Sequence, residues 1–116
     1  MPSFPDVWND FLDQVRRGIE ELARNTVGNV LAQAQSDATA FVAASQDNLE
    51  RWMKALSEGT ISPGDFEFLM RGQRDLAALH ALTAFGVATT RLERFRTGLI
   101  SLVVSSAFKA VGLQTS

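Results

Sequence analysis

Apolar residues recur every eleven positions along almost the whole chain. Trp8, Ile19, Val30, Phe41 and Trp52 form one series, and Leu12, Ala23, Ala34, Ser45 and Leu56 repeat it four positions later. The second part of the chain carries the same pattern in Phe66, Ala77, Ala88, Leu99 and Ala110, and again in Met70, Ala81, Leu92 and Val103. Eleven residues in three turns is about 3.67 residues per turn, close to the α-helical period, so such a stripe runs nearly straight along a helix. The pattern predicts an all-α protein in which each half presents one continuous apolar seam.

One turn separates the halves. Gly59 suits a helix C-terminus. Ser62 followed by Pro63 reads as an N-cap and a first-turn proline. Asp65 and Glu67 then put negative charge where the helix dipole favours it. The helical halves are expected at 6–57 and 63–114, with the turn at 58–62, all within a single domain spanning 1–116. Unbroken, each half would be roughly 75–80 Å long at about 1.5 Å per residue.

Folding the halves together about residue 60 puts residue i beside 120 − i. Small residues then face small ones: Ala32, Ala34, Ala38, Ala40, Ala43 and Ala44 lie opposite Ala77, Ala78, Ala81, Ala84, Gly86 and Ala88. Trp52, Met53 and Leu56 fall near Phe66, Phe68, Leu69 and Met70, and Trp8, Phe11, Leu12, Val15 and Ile19 near Leu99, Leu102, Val103, Phe108 and Val111. This matching points to an antiparallel helical hairpin with a narrow alanine waist. One hairpin seam leaves Val27, Leu31, Val42, Leu49, Leu76, Leu79, Leu82 and Phe85 uncovered. A four-helix bundle would cover them, either by dimerisation of two hairpins or by breaks near Gly28 and Gly98, with Gly86 a further weak point. The reading favours the dimer.

Composition removes several function classes. Charged residues are 21% of the chain and the net charge is −2, which argues against a nucleic-acid partner. The absence of cysteine excludes disulfides and thiolate chemistry. The first residues lack a basic leader with an apolar core, and no apolar run reaches the roughly 18 residues of a spanning helix, so a cytoplasmic protein is expected, peripheral at most to a membrane or granule surface.

Candidate chemistry is sparse. His80 is the sole histidine, and positions three and four away are Leu76, Ala77, Thr83 and Ala84, so the Glu-x-x-His pattern of di-iron bundles is missing. Asp6, Asp10 and Asp13 share a helix face, and Glu20–Arg24 and Asp47–Arg51 are favourable i,i+4 pairs, as expected of a solvated surface. No phosphate loop or catalytic triad spacing occurs. No enzyme, cofactor or metal site is expected. Arg91, Arg94 and Arg96 form the densest basic patch. The segment 98–113 has apolar residues over about two thirds of the helical wheel. Leu99, Leu102, Val103, Phe108 and Val111 are therefore the candidate interface residues, with the three arginines beside them.

A length near that of the helical-hairpin substrates of type VII secretion invites comparison, but those carry Trp-x-Gly in the turn, and here Trp52 is followed by Met53 and Lys54. Over residues 30–95 the chain is similar to phasins, the coat proteins of bacterial polymer granules, in being alanine-rich, amphipathic and helical. That resemblance implies an amphipathic surface-binding protein acting through 98–113 on a membrane or apolar granule. The leading expectation is different: a non-enzymatic helical interaction and oligomerisation module, whose partner is itself or another helical protein. A small-ligand carrier with a pocket near the alanine waist is a third.

Overall fold

The computed structural model describes residues 3–112; Leu113 and Gln114, which close the second predicted half and the 98–113 arc, lie outside them. The described chain is helical throughout, with no strand: α1 (Phe4–Thr26), α2 (Leu31–Glu58), α3 (Pro63–Arg71), a single 3-10 turn (Arg74–Leu76), α4 (His80–Phe85) and α5 (Thr89–Ala110).

A turn over residues 59–62 joins α2 to α3. Gly59 adopts φ 76°, the left-handed conformation that glycine tolerates best, and Thr60 N–H closes the helix end on the Ala55 carbonyl at 2.9 Å. Ser62 caps α3 reciprocally. Its hydroxyl accepts from Asp65 N–H at 3.0 Å, and the Asp65 carboxylate accepts from Ser62 N–H at 3.1 Å. The Ser62 backbone N–H, helped by its hydroxyl, holds the Asp65 carboxyl below its ordinary pKa. A lowered folded-state pKa means that the cap's contribution is present above the unfolded value and lost as pH falls through the folded one. Below about pH 4, wild type should therefore lose thermal stability that Asp65→Ala has already lost at neutral pH. Parallel melting curves for the two proteins down to low pH would disprove this.

The halves are not continuous. The first breaks at Gly28, where φ is 80° and Gly28 N–H turns back to the Ala23 carbonyl at 2.9 Å. The second breaks twice, over residues 72–79 and at Gly86, whose φ is 96°. Gly98 is not a break. It sits inside α5, where its missing side chain makes room for Leu22 of α1, while Gly18 of α1 makes room for Leu102 of α5. Glycine here permits close approach of two helices and does not end one. Gly98→Leu should destabilise the fold by about 1–3 kcal/mol through overpacking, a cost that the better helix propensity of leucine, under about 1 kcal/mol, only partly offsets. Chemical denaturation checks this; a more stable variant would mean that α1 and α5 are not in close contact there.

Packing closes a four-sided ring. α1 lies against α2 and α5, α2 against α3 and α4, and α3 against α5. The longest dimension is 43 Å, about half the length of an unbroken hairpin. Side chains from the two halves of the chain meet at several points. Gly18 meets Leu102, Leu22 meets Gly98, Asp37 meets Ala81, and Asn48 meets Gln73, each within two residues of i beside 120 − i.

Folding back on itself lets the chain bury most of what one seam would leave wet. Val27, Val42, Leu49, Leu79 and Leu82 all join the core, centred on Phe11, Phe41, Phe66 and Phe95. The same fold shifts the seam. Because α2 must face α1 on one side and α3–α4 on the other, its buried face centres on Phe41, Leu49 and Met53, and Trp52 is moved to a half-buried edge. The alanine waist closes only at Ala34, Ala38 and Ala77; Ala40, Ala43, Ala44, Ala78, Ala84 and Ala88 are exposed.

Candidate interaction surface

The candidate interface on α5 is largely turned inward. Leu99 and Val103 are fully buried among the chain's own helices. Leu102 is half-buried against Gly18, and Phe108 packs on Phe66 with ring centroids 5.9 Å apart. Val111 is half-buried at the end of the bundle, beside Phe4 and Val7. The broad apolar arc exists because α5 must contact both α1 and α3, so two directions of packing consume it.

The arginines divide. Arg91 and Arg94 are exposed. Arg96 is a structural tie: its Nε donates to the Ala77 carbonyl at 2.9 Å, and its guanidinium pairs with Glu93, which also pairs with Arg74. These bonds fasten the irregular stretch 72–79 to α5. His80 is exposed at the start of α4, and no group of three or more acidic, histidine or cysteine side chains converges to hold a metal among the described residues.

Sequence reasoning overlooked Asp37. It is 5% exposed on the inner face of α2, between Ala34 and Ala38 on one side and Phe41 on the other. Its two carboxylate oxygens accept from Ala81 N–H at 2.9 Å and Leu82 N–H at 2.8 Å, so a residue from another helix caps α4. The residue at the α4 N-cap position, Leu79, cannot do this itself. It is buried, has no polar side chain, and stands at φ 56°. The readable signal was a lone acid on an otherwise apolar stripe, which burial permits only when its oxygens are hydrogen-bonded.

The apolar surface that remains lies elsewhere. Phe68, Leu76 and Phe85 are 77%, 40% and 61% exposed, and all three belong to the segmented run 63–88. On α3, Phe68 projects away from the buried Phe66 and Met70, since two residues turn a helix by about 200°. A groove of about 550 Å³ also opens to solvent between α1 and α2, walled by Trp8, Leu12, Val15 and Ile19 and floored by Ala38 and Val42. No described helix is long and apolar enough to cross a membrane. No protein-family model matches the sequence, and neither a curated protein nor a solved structure shows detectable similarity to it.

Proposed function

We propose that the chain is a non-enzymatic helical interaction module that associates with further copies of itself. The observation that carries this reading is the confinement of the large uncovered side chains, Phe68, Leu76 and Phe85, to one run of the chain, residues 63–88. Single exposed apolar residues are ordinary on a protein surface, but two phenylalanine rings, on α3 and α4, left mostly in water are area that a second copy can cover. Each phenylalanine removes on the order of 150–250 Å² from water when covered, and stable interfaces bury about 1,200–2,000 Å² in total, so a few such rings can anchor one.

Light scattering over the micromolar range should give a mass of two or more chains for wild type, falling towards one for Phe68→Ser with Phe85→Ser. A single-chain mass for wild type at every concentration would sink the reading. Co-sedimentation with anionic vesicles or polymer granules by a chain that stays monomeric would favour the phasin-like surface-binding function instead.

A further inference from the structure

The breaks in the two halves fall almost level with each other. In the register i beside 120 − i, Gly28 stands opposite residue 92, and the second break lies at Gly86–Ala88, about one helical turn away. The molecule is thus a long hairpin folded at its middle. One lobe is the α1–α5 pair, where Gly18 and Leu102 and then Leu22 and Gly98 interlock. The other is α2 with α3, the 3-10 turn and α4, joined by Asp37 to α4 and by Asn48 to Gln73. Contacts within each lobe cross between the halves of the chain. Contacts between the lobes are α1 on α2 and α5 on α3, including Phe66 on Phe108 and Arg74 and the Ala77 carbonyl on the Glu93–Arg96 pair.

Only the four residues 27–30 and the three residues 86–88 connect the lobes. The eleven-residue stripe passes through both connections without a change of phase: Ile19, Val30 and Phe41 on one side, Ala77, Ala88 and Leu99 on the other. Neither connection contains a proline. Both are therefore written as helix and held bent by tertiary contacts, with Gly28 at φ 80° and Gly86 at φ 96° supplying the left-handed turns.

We propose that a second copy of this chain can take the lobe–lobe face: the chain straightens at both connections, and two open chains exchange lobes to form a dimer. Every contact between lobes is then remade between chains, and α1 runs into α2 while α4 runs into α5. Short hinges in an otherwise complete fold are the setting in which identical elements are exchanged. The proposal rests on self-association but places it on a different surface from Phe68 and Phe85, so the two can fail separately.

The test is Gly28→Ala with Gly86→Ala in the full chain. Alanine is disfavoured at a left-handed position by about 1–2 kcal/mol and favoured in a continuous helix, so each change should shift the balance roughly tenfold or more towards the open chain. The double variant should give a two-chain mass with increased helical circular dichroism, and Phe68→Ser with Phe85→Ser should leave that mass unchanged. In the same background, Arg74→Glu and Glu93→Arg each set like charges against each other between lobes. Mixed together, the two chains should form a heterodimer in excess of the statistical ratio, because exchange restores both opposite-charge pairs. A one-chain mass, or a two-chain mass without this heterodimer preference, overturns the proposal. Where the double variant loses its helical signal, Gly28→Ala alone and Gly86→Ala alone replace it: each should raise the two-chain fraction above that of wild type, by an amount that Phe68→Ser with Phe85→Ser does not remove, and no rise in either overturns lobe exchange while leaving self-association standing.

Discussion

Asp37→Ala is expected to destabilise the protein by about 2–4 kcal/mol. Two backbone N–H groups, those of Ala81 and Leu82, lose their acceptor, the Leu82 group inside the core and the Ala81 group at its half-buried edge. A hydrogen bond to a charged group contributes about 1.5–3 kcal/mol net, and a lost helix cap alone costs about 0.5–2 kcal/mol. The loss has a second consequence. Leu79 stands in the left-handed region, a strain of about 1–2 kcal/mol that the Asp37 bonds and its own buried side chain hold in place. Without the carboxylate, α4 should open before the rest of the fold, so backbone amides at 79–86 should exchange faster than those of α1 and α5. Asp37→Asn keeps one accepting oxygen and should be milder. Chemical denaturation with hydrogen exchange tests all of this; a change within about 0.5 kcal/mol for Asp37→Ala would mean that α4 does not depend on it.

Phe66→Ala is expected to cost about 3–5 kcal/mol, the range for removing a fully buried aromatic. Phe66 is also the ring through which α3 meets α5, at Phe108. Phe68, two residues along the same helix, provides the internal control. It is 77% exposed, and Phe68→Ala should change stability by no more than about 0.5 kcal/mol. Equal effects at the two positions would mean that α3 is rotated about its axis, and that the exposed rings on which the interaction surface depends are wrongly placed.

The contrast between these neighbours indicates what could be read in advance. The eleven-residue stripe put Phe66 and Met70 on the seam and left Phe68 off it, but it could not say whether Phe68 would be covered by something else, because the outer face of α3 is defined only when α2 and α5 are in place. The inner face of α5 posed the same difficulty. Leu99, Val103 and Phe108 were legible as residues that must be covered, but whether by a partner or by the chain's own α1 and α3 depended on whether the halves fold back. Arg96, grouped by sequence with Arg91 and Arg94, proved to bond a carbonyl in the break at 72–79, a break that no proline announces.

The sequence by itself determined the helical class, and it carries the glycine, serine and proline whose local chemistry makes the turn at Gly59–Ser62. Those follow from local chemistry and from a periodicity that local geometry must obey. Tertiary structure alone decided that the hairpin folds at Gly28 and Gly86 and not at Gly98, that Trp52 yields the core to Met53, and that Asp37 starts a helix 44 residues away along the chain. In each case the reason is the same. A glycine or an apolar stripe is compatible with a bend, a notch or a straight helix, and the choice is made by which arrangement removes the most apolar surface from water while leaving every buried polar atom a partner.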